Sequence, residues 1–140
     1  MIVLDTNVVS EIMRARPEPT VLTWVNAQAP GELWLTAVGA AELMFGVARL
    51  EDGARKQQLA RTVSAMLQTD FAGRVLPFDL SAASVYAQLV AQRERSGQPV
   101  AMADAQIASV CLAHAATLAT RNHKHFDGLG ITIINPWDGG

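Results

Sequence analysis

The sequence predicts an α/β domain with three layers, α/β/α, around a mostly parallel central sheet. Short β-branched or leucine-rich runs alternate with longer segments of helical spacing along the whole chain. Strands that alternate with helices imply right-handed crossovers and parallel pairing. Composition agrees: half of the residues are hydrophobic and only 6% are aromatic. Ala, Val and Leu therefore carry the apolar content, as in helices packed on a sheet buried on both faces.

The elements follow in order. Ile2-Val3-Leu4 is the first strand and stops at Asp5-Thr6-Asn7, residues that cap helices, so a helix is expected over Val8–Met13. Pro17-Glu18-Pro19 breaks it, and Thr20–Ala27 reads as a second short helix. Leu33–Thr36 is the next strand, followed by a helix over Gly39–Leu50 and a turn at Glu51-Asp52-Gly53. Leu59, Val63, Met66 and Leu67 give Ala54–Leu67 a helical period. Val75–Phe78 is a third strand, with Asp79 or Ser81 capping a helix over Ala82–Arg95. After the loop Ser96-Gly97-Gln98-Pro99 come a helix, Ala103–Ala115, and two strands, Thr117–Thr120 and Ile131–Ile134. No repeat, low-complexity stretch or long linker divides the 140 residues, so residues 1–140 are read as one domain.

Several function classes are excluded. No apolar run approaches the roughly 18 residues that span a bilayer, and the N-terminus lacks the basic start of a signal peptide. The one cysteine, Cys111, cannot form an internal disulfide and lies in an apolar helical run, so a reducing, cytoplasmic setting with no membrane partner is expected. His114, His123 and His125 have no zinc-ligand spacing, and neither a glycine-rich phosphate loop nor a GxSxG elbow is present. A net charge of −2 gives no global attraction to nucleic acid, so any such substrate must be drawn by local cations.

Three acids stand where an open α/β sheet gathers its functional groups, beyond the carboxyl ends of the strands. Asp5 directly follows the first strand, Glu42 lies near the start of the helix after the second, and Asp104 opens the helix leading to the fourth. Each follows apolar or small residues with no Lys or Arg beside it. A carboxylate in such surroundings is costly to desolvate without a partner. A divalent cation would relieve the mutual repulsion, and all-oxygen ligation favours Mg²⁺ or Mn²⁺ over zinc. Singly, Asp5 is explained equally well as a helix cap, Asp104 as a first-turn acid and Glu42 as a solvated helix residue. Only the joint pattern points to a site.

Those residues also carry a family resemblance. Leu4-Asp5-Thr6-Asn7, Ala41-Glu42-Leu43 with Gly46, Asp104-Ala105-Gln106-Ile107-Ala108 and Thr120-Arg121-Asn122 resemble, in order, the PIN-domain motifs of VapC-type toxins. The closing Ile134-Asn135-Pro136-Trp137 is similar to the C-terminus of the FitB-like branch. The resemblance implies a PIN fold and a Mg²⁺- or Mn²⁺-dependent ribonuclease acting as the toxin of a type II pair. It implies restraint by a VapB-like antitoxin, a homodimer that assembles with antitoxin into a larger complex, and contact with DNA only through the antitoxin. By position, Asp5 and Asp104 would be the main metal ligands and Glu42 would complete the acidic cluster. Asn122 would stand where many relatives carry a fourth catalytic acid.

The chain departs from that pattern at His125, which replaces the acid of the usual Thr-Arg-Asn-x-x-Asp-Phe segment. His125 lies three residues past Asn122, so one local turn would bring its ring to the site. Loss of charge at Asn122 and His125 leaves open a catalytically weak PIN-like binding module acting within an antitoxin complex. A haloacid-dehalogenase phosphohydrolase also begins with an Asp after its first strand, but that family carries a second Asp where Asn7 stands. Arg14, Arg16, Arg49, Arg121 and Lys124 are the candidates for phosphate attraction, with Arg121 and Lys124 closest to the inferred site. Thr6 and Thr120 could position ligands or water through their hydroxyls. The apolar stripes of Thr20–Ala27 and Ala54–Leu67 could form an antitoxin groove.

Overall fold

The computed structural model describes all residues from Met1 to Gly140. Five strands, β1 (Ile2–Leu4), β2 (Leu33–Thr36), β3 (Val75–Leu76), β4 (Thr117–Ala119) and β5 (Ile133–Ile134), form one sheet in the order β3-β2-β1-β4-β5. Every pairing is parallel, with Ile2 opposite Leu33 on one side of β1 and opposite Thr117 on the other. The chain leaves β1 toward one edge through β2 and β3, then returns to the other side through β4. The direction of winding thus reverses between β1 and β4, the kind of switch point at which open α/β sheets bind ligands.

Side chains alternate across a strand, and β1 shows what that does here. Ile2 and Leu4 enter one core, Val3 the other. The Val3 side is filled by α5 (Leu80–Arg95) and α6 (Met102–Ala113), through Ala82, Leu89, Ala105, Ile107, Ala108, Val110 and Cys111. The opposite side is filled by α1 (Thr6–Ile12), α2 (Pro19–Ala27), α3 (Ala37–Ala48) and α4 (Ala54–Ala65), through Val8, Val9, Val21, Trp24, Leu43 and Val63. These are the three layers expected, with the sheet wholly parallel.

The helix starts differ from the sequence reading because caps sit earlier than the first apolar residue. Asp5 caps α1, so the helix begins at Thr6, and Thr36 caps α3, so that helix begins at Ala37. Between the two candidates for α5, Asp79 is the cap: its carboxylate accepts from the Ala82 N–H at 3.0 Å. α4 closes in a π-helical turn, Met66–Asp70, that brings Met66 and Phe71 into the core. β3 and β5 are shorter than their apolar runs because ladder pairing, and not hydrophobicity, sets strand length at a sheet edge.

Thr36 deserves its position at the end of β2 for two reasons. It is 1% exposed, and its Oγ1 accepts from the Gly39 N–H at 2.9 Å, which orients the helix carrying Glu42. A Cβ on Gly39 would approach the same hydroxyl to 3.2 Å. Thr36→Ala should therefore cost about 1 kcal/mol, the usual loss for an N-cap. Thr36→Ser should recover most of it, as read by urea unfolding.

Candidate active site

Asp5 ends the central strand. Its N–H donates to the Ala119 carbonyl of β4 at 2.9 Å, which locks the two strand ends together. One carboxylate oxygen accepts from the Thr6 N–H at 2.8 Å as the cap of α1. The other accepts from Thr120 Oγ1 at 2.8 Å and from Asn7 Nδ2 at 3.4 Å. Asn7 Nδ2 also donates to Thr120 Oγ1 at 3.2 Å. Asp5 is 7% exposed, yet no Lys, Arg or His pairs with it. Its charge is held by neutral donors alone.

Glu42 stands in the second turn of α3, on the open side of the same cleft. Thr6 Oγ1 donates to its Oε1 at 2.9 Å. Partial desolvation of the carboxyl raises its pKa above the ordinary value; the Thr6 bond opposes the shift, and the charges of Asp5 and Asp104 add to it. Asp104, in the first turn of α6, is half-buried. Its pKa is also raised, first by desolvation and then by the Asp5 charge, against the pull of His125. The His125 ring does reach the site by one turn of 3-10 helix, His123–Phe126, with Nδ1 3.4 Å from Asp104 Oδ2. Asn122 donates its N–H to Thr120 Oγ1 at 3.0 Å and leaves its side chain exposed at the cleft.

These groups line one open cleft of about 630 Å³ beyond the ends of β1, β2 and β4. Asp5, Glu42, Asp104 and Asn122 all face it. No three His, Cys, Asp or Glu side chains are close enough, as they stand, to enclose a metal ion. Each carboxylate is instead turned toward its own protein donor, as mutually repelling charges would be. Cys111 is fully buried, and desolvation pushes its thiol up to about 12, which leaves it inert. His114 is exposed and far from this chemistry.

The cleft contains a residue that the sequence reading passed over. Glu11 is 7% exposed, and its carboxylate accepts twice from Arg14 Nη1, at 3.1 Å each, and from the Glu18 N–H at 3.0 Å. The Glu18 bond, more than the Arg14 contacts, holds its pKa below the ordinary value. Asn7 and Glu11 stand four apart on one face of α1, with Arg14 three residues further on just past its end, the signal that could have found it. Arg14 and Arg121 line the cleft, whereas Arg16 lines a neighbouring groove and Arg49 and Lys124 line neither. Trp137, placed near the C-terminus by the turn Pro136–Asp138, forms part of the cleft wall.

A wholly parallel sheet between helical layers, with acids from three elements in one cleft at its switch point, defines a PIN-like α/β/α protein. The family model for the PIN domain matches residues 2–130. The chain belongs to the PIN-domain family. It is 44% identical to the VapC ribonuclease Y4jK of Sinorhizobium fredii, over 99% of each chain. It is 38% identical to the toxin FitB of Neisseria gonorrhoeae, over 98% of this chain and 99% of that one. The crystal structure of FitAcB from N. gonorrhoeae superposes with a TM-score of 0.91 at 38% identity, covering 98% of this chain and 99% of that chain. A crystal structure of VapBC-5 from Mycobacterium tuberculosis, a member of the VapBC family of toxin-antitoxin systems, superposes at 0.66 with 26% identity over 94% of each chain.

The raised pKa of Asp104 has a consequence for stability. A carboxyl whose folded pKa exceeds its unfolded one stabilises the fold below the unfolded value, about 3.9, and loses that contribution as pH rises through the folded value. Asp104→Asn removes the penalty. In metal-free buffer the variant should melt higher than wild type at pH 7, with the gap closing below about pH 4. Calorimetric melting across that range checks it.

Proposed function

We propose that this chain is a Mg²⁺- or Mn²⁺-dependent endoribonuclease that hydrolyses RNA phosphodiester bonds as the toxin of a type II toxin–antitoxin pair. The observation that carries the proposal is the cleft itself: Asp5, Glu42 and Asp104 crowd an open surface with no Lys or Arg paired to any of them, and the Asp5 charge raises the cost of charging the other two. The names of the relatives, a VapC ribonuclease and the toxin FitB, support the same reading. Residues 1–140 would act as one domain.

The donor set fits a hard divalent cation, since carboxylate oxygens dominate and no soft sulfur is within reach. Asp5 and Asp104 would be the principal ligands, with Glu42 completing the set. When bound, the cation would supply charge neutralisation for the phosphodiester and a lowered pKa for an attacking water. The chain's own residues do the rest. Thr120, Asn7 and the Thr6 N–H fix the Asp5 carboxylate, so its direction is set before any ligand arrives. Glu42, half-protected and with a raised pKa, is suited to accept the proton of the attacking water, directly or through a second water. Asn122 offers an uncharged amide at the cleft rim to orient the phosphate or that water.

A VapB-like antitoxin would occupy the groove of about 1080 Å³ between α1, α3 and α4. Its floor is Met13, Leu43, Val47, Leu50, Leu59 and Val63, and Arg14, Arg16 and Arg55 rim it. An amphipathic helix with acidic flanks would fit that surface. α2 takes no part, contrary to the sequence expectation, because Val21 and Trp24 are spent on the core. The groove shares Thr6, Ser10, Arg14 and Glu42 with the cleft, so a segment seated there would lie against Glu42. Homodimerisation, a larger antitoxin complex, and DNA contact through the antitoxin alone would follow the FitAcB and VapBC relatives. No helix of the chain is long and apolar enough to cross a membrane.

Paired variants test both halves of the proposal. Asp5→Asn or Asp104→Asn should abolish RNA cleavage and growth arrest, with a wild-type circular dichroism spectrum and undiminished antitoxin binding. Leu59→Asp should remain an active nuclease yet bind antitoxin at least about tenfold more weakly, the cost of burying a carboxylate in an apolar groove. Growth arrest by Asp5→Asn at normal expression would remove the metal-site assignment.

A further inference from the structure

We propose that Arg121, seated over the Trp137 indole, is the clamp for an RNA backbone phosphate, with Trp137 as its positioning residue. The inference rests on the ribonuclease reading and names how its substrate is held. Four acids and two arginines line the cleft: Asp5, Glu11, Glu42 and Asp104 against Arg14 and Arg121. A polyanion entering it needs a fixed cation. Arg14 is already committed, with Nη1 3.1 Å from both oxygens of Glu11. Arg121 makes no ion pair and its guanidinium no hydrogen bond, so all five N–H donors are unclaimed.

Its position is nevertheless fixed. The Arg121 guanidinium carbon lies 4.9 Å from the centroid of the Trp137 ring. Trp137 is held in turn, because Asn135 Oδ1 accepts from its backbone N–H at 3.0 Å, Pro136 beside it is buried, and the indole packs against the second core. The backbone is anchored too. Arg121 directly follows Thr120, whose hydroxyl donates to Asp5, and its own N–H reaches Asn7 Oδ1 at 3.4 Å. The indole therefore stands against the guanidinium, whose N–H donors remain unpaired. A planar fork held this way matches two phosphate oxygens, which the point charge of a lysine does not. The stack also removes rotamer freedom before substrate arrives, lowering the cost of binding.

The test compares Arg121→Ala, Arg121→Lys, Trp137→Leu and Trp137→Phe with wild type. Cleavage of a fluorescent single-stranded RNA gives kcat and KM over a range of salt. Affinity for the same RNA, measured by anisotropy with each change placed on an Asp5→Asn background, does not depend on turnover. Arg121→Ala should raise KM and the dissociation constant about tenfold and leave kcat nearly unchanged, as loss of uniform binding does. It should lower the magnitude of the salt slope by about 0.7, the value of one phosphate contact on a single strand. Arg121→Lys should recover part of the affinity and Trp137→Phe most of it. Trp137→Leu should resemble Arg121→Ala, and the double variant should be no worse than Arg121→Ala alone, which a merely structural tryptophan would not produce. If Trp137→Leu fails to fold, the Trp137→Phe and Arg121→Lys pair gives the same cycle. RNA affinity and salt slope unaltered in Arg121→Ala would overturn the clamp, as would an effect confined to antitoxin affinity. RNA binding that depends on Arg121 in a wild-type chain that cleaves no RNA would instead uphold the clamp and contradict the nuclease reading.

Discussion

The buried Asp5 carboxylate is held at the switch point of the sheet by three neutral donors and by no cation. Thr120 just past β4, Asn7 from α1 and the Thr6 N–H all spend hydrogen bonds on it. A charge kept in that state disfavours a second one near it, and it adds to the desolvation that chiefly raises the pKa values of Glu42 and Asp104. Interactions that serve only the fold would not concentrate like charges at one end of a sheet, since paired or absent charges are cheaper there. The arrangement is intelligible as strain relieved by a ligand of opposite charge.

Charge is then graded across the cleft. On one wall Glu11 and Arg14 neutralise each other and stiffen α1 through the Glu18 N–H. At the centre lie Asp5, Glu42 and Asp104, with no Lys or Arg paired to any of them and only the His125 ring beside Asp104. Arg121, whose charge also reaches Glu11, makes no ion pair and is supported by Trp137. A divalent cation and a phosphate backbone would find complementary groups only in this order, acids inward and arginine outward. The apolar groove beside it shares Glu42 and Arg14 with the cleft, so occupancy of one surface bears on the other without any change of fold.

Much of this was legible in the sequence because strand ends and helix caps are local signals. Asp5 and Asp79 announce helix starts, and alternation of Ile2, Val3 and Leu4 on a strand buried on both faces announces a middle layer. Asp5, Glu42, Asp104 and Asn122 were all visible as candidates, and the structure brings all four to one cleft. What was not legible depends on distance in space. The bond from Thr6 to Glu42 spans 36 positions and that from Thr120 to Asp5 spans 115. The Arg121–Trp137 stack requires the C-terminal turn to return to the end of β4. Glu11 was missed because a charged residue in a short helix reads as solvated, whereas here it is sealed by Arg14 and the chain at Glu18. Of the two apolar stripes expected to form the groove, Thr20–Ala27 and Ala54–Leu67, only the second lines it, because a stripe does not reveal which face is already covered.

The central claim is that crowded carboxylates await a divalent cation that RNA hydrolysis requires. Titration of Mn²⁺ into the metal-free chain at pH 7, with free Mn²⁺ followed by electron paramagnetic resonance, tests it directly when RNA cleavage is measured on the same samples. Saturable binding is expected, with cleavage rising in step with occupancy and vanishing in excess chelator. Cleavage that persists undiminished in chelator, or Mn²⁺ that never binds saturably, would contradict the claim.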